Sequence, residues 1–321
     1  MLLASFLLLL GLLMLIVGGE LLVRGGTGIA LLSKVSPAVV GVTVVAAGTS
    51  MPEMFIAVNA SLQGSPGLAM GTIVGSNIFN IGMILGIASI LRPLVIQGNT
   101  IKLEWPIMLL AAFELHLLSR DGVLDRLEGS FLLASMLAFT TYAVWIAQKN
   151  TTPIEDDELS AQASMPFAFR GSKAWLVCIG LIVGGSALLA GGSAVLVHGA
   201  GALARLAGVS TPIIGLTIVA AGTSLPELVT TIVALRRKRD DIAVGNVVGA
   251  NIFNILAVGG LASLVSPMAV PAQLAMRDNW WMIGFTLLLF PVMRTGMRIT
   301  RSEGIILLIS FGLYLTTFFY L

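Results

Sequence analysis

Long apolar runs, each closed by a short polar or basic stretch, recur along the whole chain. A run of roughly 20 residues is what a helix needs to cross a hydrocarbon core. On that measure the pattern predicts about ten spans: 3–23, 37–61, 68–91, 101–119, 128–148, 173–197, 211–235, 242–265, 279–297 and 303–320. The short alternating segments of a membrane β-barrel are absent. The expected fold class is all-α and integral to the membrane. Two spans carry something a lipid-facing helix does not. AAGTSMPEM (Ala46 to Met54) and AAGTSLPEL (Ala220 to Leu228) each place a proline and a carboxylate inside the apolar run. Proline removes a helix hydrogen bond, and ionisable groups at that depth are costly.

The two stretches belong to a larger repeat. At an offset of 174 positions, GVTVVAAGTSMPE (41–53) lies on GLTIVAAGTSLPE (215–227), and AMGTIVGSNIFNI (69–81) on AVGNVVGANIFNI (243–255). Each half holds about five spans. An odd number means that the two halves run in opposite directions across the membrane. Inverted halves are common among secondary transporters, whose substrate sites lie near the midplane between repeats. The expected organisation is a first five-helix repeat over 1–148, a cytoplasmic linker over 149–172, and a second repeat over 173–321. The linker TTPIEDDELSAQASMPFAFRGS lacks the spaced acidic-glycine pattern of a calcium loop and reads as a solvated tether.

Composition changes this picture little, but charge distribution adds an orientation. The chain is 57% hydrophobic and 11% charged, with a net charge of +2. Sorting the 18 Lys and Arg by side of the membrane gives 14 against 4. The positive-inside rule then puts both termini outside and the linker in the cytoplasm, with the cell membrane as the default location. RRKRDD (236–241) reads as a cytoplasmic anchor, not a nucleic-acid patch. The single Cys178 excludes an internal disulfide. HExxH is absent and no nucleophile–base pair has convincing spacing, so an enzyme is the weakest reading. The expected partners are inorganic cations and the lipid bilayer, with no cofactor and no need for an oligomer.

The repeated motif admits two readings. Ser50-x-x-Glu53 and Ser224-x-x-Glu227 fit a helix capping box, with Pro52 and Pro226 in the first turn. A cap at that depth also means a broken span, whose backbone must face protein, water or an ion. On the second reading Glu53 and Glu227 meet across the repeat axis. Thr49, Ser50, Ser76, Asn80, Thr223, Ser224 and Asn254 surround them, with carbonyls freed from Ala46 and Ala220 onward. Neither motif contains Cys or His, which argues against a soft metal; an all-oxygen cage with two anionic ligands suits a hard cation such as calcium. Asn77 and Asn251 fit interhelical packing as well as ion contact, and Gly48 and Gly222 fit packing. The glycine pairs of 180–193 read as close-packing devices. Glu20, Glu104 and Glu114 are taken as single, without repeat partners, and His116 and His198 as structural.

GTSMPE with GSNIFN, and GTSLPE with GANIFN, resemble the two α-repeats of the sodium/calcium exchanger family, most closely its compact prokaryotic members. The resemblance covers nearly the whole chain. It implies four cation sites around the glutamates, with Glu53 and Glu227 bridging calcium or sodium. Thr49 and Thr223 would offer backbone oxygens to calcium. Ala46, Ser50, Ser76, Ala220 and Ser224 would serve flanking sodium sites, and Asn80 and Asn254 would complete the central ring. Some members have a serine at Ala250 and an acidic residue at Asn254, which leaves stoichiometry and potassium dependence open. Calcium/proton exchange through the same glutamates is the alternative. A cation channel is a further one, against which the inverted repeat argues.

Overall fold

The computed structural model describes residues 1–150, 172–207 and 220–317. Most of the linker and the first part of the expected span 211–235 lie outside the described residues. In the first half, α1 (Leu2–Ser33) leads to α2 (Pro37–Val40), a π-helical turn over Gly41–Val45, and α3 (Ala46–Thr49). After Ser50 comes α4 (Met51–Leu62). Next, α5 (Pro66–Phe79) passes through a π turn, Asn80–Leu85, into α6 (Gly86–Leu91). A π turn over Thr100–Glu104 opens α7 (Trp105–Leu118), and α8 (Arg126–Asn150) closes the half.

The second half repeats this order. It has α9 (Ser172–Leu206), α10 (Ala220–Thr223), α11 (Leu225–Arg236) and α12 (Asp240–Phe253). A π turn over Asn254–Gly259 leads into α13 (Gly260–Val265), and another over Leu274–Asp278 into α14 (Asn279–Arg294). The last described helix is α15 (Arg301–Thr316). Two pairs of π turns are conserved at the 174-residue offset, although each interrupts the regular helical ladder. Such turns are rare and concentrate at functional sites.

Among the described residues five helical segments are long and apolar enough to cross a membrane: Leu2–Ser33, Pro66–Leu91, Arg126–Ala147, Ser172–Leu206 and Asp240–Val265. Pro37–Thr49 with Met51–Leu62 makes a sixth, bent by 49° at Ser50. The other expected spans fall on shorter helices. Burial sorts them: 89% of the apolar window of Asp240–Val265 is buried, against 17% for Ser172–Leu206. The asparagine-bearing helices are therefore the centre, and α1 and α9 lie at the periphery.

Those two helices pack antiparallel along a glycine seam. Gly11 meets Gly192 and Gly18 meets Gly185, while Gly25 meets Cys178 and Gly199 meets Ala4. The rising numbers of α1 face falling numbers of α9, so the first helices of the two halves run in opposite directions. The glycines recur every seven residues, and a Cβ on Gly18 would lie 2.8 Å from the Gly185 carbonyl oxygen. The close-packing reading of the 180–193 glycines holds for Gly185 and Gly192, whereas a Cβ on Gly180 or Gly184 would meet nothing within 4 Å. The seam also explains why α1 runs to Ser33 and α9 to Leu206, beyond the expected ends at 23 and 197. Gly25 and Gly199 extend the contact past the apolar run, and Arg24 is held to Glu20 at 2.8 Å.

The two halves are tied at their ends by two small antiparallel pairings. Strand β1 (Leu94–Val95) pairs with β4 (Arg298–Ile299), and β2 (Val123–Leu124) with β3 (Met268–Ala269). Leu94 opposite Ile299 and Met268 opposite Leu124 are mirror images of one contact. The loops after α4 and α11 are also mirrored, with left-handed backbone at Gly64 (φ 68°) and Lys238 (φ 58°).

One expectation is corrected here. Glu104 has a repeat partner, because Asp278 stands at the 174-residue offset and ends the equivalent π turn. The flanking residues differ so much that the match is hidden. Asp278 is paired with Arg277 at 2.9 Å.

The seam yields a first expectation. Gly185→Val forces a side chain into the α1 backbone and should cost about 1–3 kcal/mol, the usual penalty of overpacking. Gly180→Val, where a Cβ meets nothing within 4 Å, should be neutral. Thermal unfolding in detergent, followed by size exclusion, compares the two.

Candidate cation site

Each half breaks its second span at a serine. Ser50 and Ser224 hold φ/ψ of −83°/9° and −92°/9°, outside the helical range, and Pro52 and Pro226 follow in the next turn. Proline has no N–H, so the carbonyl four residues back loses its helical donor. That carbonyl belongs to Gly48 in one half and Gly222 in the other. Ser193 Oγ donates to the Gly222 carbonyl. The Ala46 carbonyl, expected to be freed, instead accepts the Ser50 N–H at 3.0 Å and the Thr49 hydroxyl at 3.2 Å. Gly48 and Gly222 both press on α9, at Ser186 and Val197 respectively, in keeping with a packing role.

The capping-box reading does not survive. Neither serine side chain caps its own helix. Ser50 Oγ donates to Glu227 Oε1 at 3.0 Å, and Ser224 Oγ donates to Glu53 Oε1 at 3.2 Å. Each serine thus reaches across to the carboxylate of the other half. Glu53 is 1% exposed and Glu227 is fully buried, and the second oxygen of each, Oε2, has no protein partner. Ser76 Oγ lies 3.3 Å from Ser224 Oγ, on the Glu53 side. Its repeat position is Ala250, which has no hydroxyl to offer Glu227. Thr49 is fully buried, and Thr223 ends α10 beside the break. Ala220 begins α10.

The asparagines join the halves. Asn80 Nδ2 donates to Asn251 Oδ1 at 2.9 Å, and Asn251 Nδ2 to the Asn77 carbonyl at 3.3 Å. Asn77 Nδ2 and Asn251 Nδ2 also approach Met282 Sδ (3.5 Å) and Met108 Sδ (3.7 Å), two methionines at the repeat offset. Asn77 and Asn251 therefore carry inter-repeat contacts. Asn80 and Asn254 open the two π turns, and their Oδ1 atoms have no protein partner. Buried polar atoms are ordinarily satisfied. Here five orphaned oxygens, Glu53 Oε2, Glu227 Oε2, Asn77 Oδ1, Asn80 Oδ1 and Asn254 Oδ1, belong to one repeated motif set. Among the described residues no group of three or more His, Cys, Asp or Glu could hold a metal. The donor set is two carboxylates with neutral oxygens, which suits a hard cation passing through as substrate.

Other polar groups lie outside this set. Glu20 pairs with Arg24 and Arg237, Glu114 accepts from Ser135 at 3.1 Å, and His116 stacks on Trp280. Arg239 grips Asp241 through two 3.1 Å bonds, so the RRKRDD run is engaged in ion pairs. Asn246 was not foreseen, yet it is fully buried and accepts from Thr49 Oγ1 at 3.1 Å. Its signal was present: a polar residue, Thr72 or Asn246, precedes Ser76 or Ala250 by one turn in each half.

The family model described as sodium/calcium exchanger protein matches residues 3–145 and 177–320. The chain belongs to the sodium/calcium exchanger family. It is 38% identical to the putative antiporter CaxA of Alkalimonas amylolytica over 97% of both chains. It is 31% identical to the sodium/calcium exchanger MaX1 of Methanosarcina acetivorans, covering 98% of each. The inner membrane protein YrbG of Escherichia coli is 34% identical over the full length of this chain and 98% of its own. The solved structure of the sodium–calcium exchanger NCX_Mj superposes with a TM-score of 0.82 at 28% identity, covering 99% of both chains. This exchanger is thus a multi-pass membrane transporter, not an enzyme, built from two inverted five-helix repeats with broken helices.

In this exchanger the two crossed bonds are unequal, because Ser224 also meets Ser76. Hydrogen bonds to charged groups are worth about 1.5–3 kcal/mol. Ser224→Ala should therefore weaken cation-induced thermal stabilisation more than Ser50→Ala does. Equal losses would contradict the assigned contacts.

Proposed function

We propose that the chain exchanges sodium for calcium by alternating access, with Glu53 and Glu227 as the shared ligands. The crossed carboxylate pair with its orphaned oxygens carries this reading. Thr49, Ser50, Ser76, Asn80, Thr223, Ser224 and Asn254, with the backbone oxygen at Ala220, complete the coordination; the Ala46 carbonyl would join them only by releasing its two donors. With both glutamates ionised the empty site carries two negative charges. Burying even one charge at the bilayer centre costs roughly 3 kcal/mol on insertion scales. Calcium neutralises the pair, and so do two sodium ions. Loaded forms can pass through a closed, water-free intermediate, whereas the empty carrier is held back. Coupling follows from that difference and needs no ATP. Sodium entering down its gradient would drive calcium out, in a cell membrane with both termini outside and the linker in the cytoplasm.

Protons could neutralise the same pair, so calcium/proton exchange is the competing reading. Calcium-45 uptake into sodium-loaded proteoliposomes, against sodium-free and acid-loaded controls at matched external pH, separates them. Uptake should require internal sodium and vanish in Glu53→Ala and Glu227→Ala. Equal uptake under an acid load would transfer the coupling to protons, and intact coupled flux in Glu53→Ala would refute the site.

A further inference from the structure

The two halves of the cage are alike in sequence and unlike in support. Asn246 lies on α12, the most deeply buried of the spans, and is itself fully buried. Its carboxamide makes three contacts. Nδ2 donates to the Glu227 carbonyl at 3.4 Å and to Thr231 Oγ1 at 3.3 Å, while Oδ1 accepts from Thr49 Oγ1 at 3.1 Å. A backbone carbonyl can only accept, so the amide nitrogen must face Glu227 and the amide oxygen must face Thr49. The single Thr49 hydroxyl proton lies between two acceptors, Asn246 Oδ1 and the Ala46 carbonyl at 3.2 Å, and its oxygen keeps its lone pairs for a cation. One side chain thereby ties the turn bearing Glu227 to the broken helix of the opposite repeat.

The mirrored position lacks this tie. Thr72 stands where Asn246 stands, and its hydroxyl is spent on the Leu68 carbonyl of its own helix at 2.9 Å. Thr231 is likewise mirrored by Ala57, which has no hydroxyl. On the other side Ser76 Oγ stands 3.3 Å from Ser224 Oγ beside Glu53, whereas Ala250 has no hydroxyl to place beside Glu227. The halves have exchanged supports: a hydroxyl one turn up the helix in the first, an amide one turn down in the second.

We infer that Asn246 is a positioning residue for cation binding: it holds Thr49 and the Glu227 turn in the geometry that receives the ion. This inference rests on the cation-cage reading above. It predicts an effect on affinity and not on turnover, transmitted through Thr49.

The test is a double-mutant cycle on the full-length exchanger in sodium-loaded proteoliposomes, reading both KM for calcium and maximal uptake. Asn246→Ala should raise KM about 5- to 30-fold, the usual worth of one or two lost buried hydrogen bonds, with maximal rate within about twofold. In a Thr49→Val background the same change should add much less, because contacting residues are non-additive. Asn246→Ser keeps a small polar group too short to reach Thr49 and should behave as Asn246→Ala does. It decides the matter if the alanine variant does not fold. Thr72→Ala should match the wild type. Additive effects, a wild-type KM in Asn246→Ser, or a loss of rate at unchanged KM would overturn the inference while leaving the cage intact. A wild-type protein without calcium flux would sink both readings.

Discussion

Two acidic side chains, Glu53 and Glu227, stand almost wholly out of solvent, and each is held by a serine hydroxyl from the other repeat. The rest of the architecture serves that arrangement. A serine can aim across the axis only if its helix stops there. The stop requires the proline that follows and glycines small enough for α9 to lie against the break. The cost of an interrupted ladder is then borne by neighbouring protein and not by lipid. The same crossing makes the halves interdependent: each carboxylate takes a serine hydroxyl from the other repeat.

Packing follows the same logic of exchange. The asparagine-bearing helices occupy the centre, Asn251 reaches both Asn80 and Asn77 of the first half, and the short strand pairings are likewise swapped between halves. At the periphery α1 and α9 meet through glycines, so backbones approach without interlocking side chains. A glycine seam of that kind favours close association through dispersion.

Much of this was legible in residue order. The 174-residue offset, the two motif pairs and the expected inversion were readable because the chemistry-bearing residues are the least varied part of each copy. Away from the motifs the reading weakened for physical reasons. Glu104 and Asp278 share one place, but TIKLE and LAMRD have little else in common, so their kinship shows only in the paired π turns. Ser50 and Ser224 fitted a local cap by spacing. Spacing does not reveal that a charge from the other half competes for the hydroxyl, and the charge wins. Asn246 escaped notice because its partners, Thr49 and Glu227, are distant in sequence and its own repeat mate does something else. Helix ends were underestimated where glycine contacts carried α1 and α9 beyond the apolar run.

The left-handed residue after each carboxylate-bearing helix is reached at different cost in the two halves. Gly64 adopts that backbone at little cost, whereas Lys238 adopts the same shape against a penalty of roughly 1–2 kcal/mol for an L-residue. Gln63-Gly64-Ser65 and Arg237-Lys238-Arg239 are one loop written twice, neutral in one copy and triply basic in the other. The loop keeps its shape in both halves although its residues differ. The turn common to both copies is thus free of ion pairs in one, and in the other is pinned on either side of Lys238 by Arg237 on Glu20 and Arg239 on Asp241.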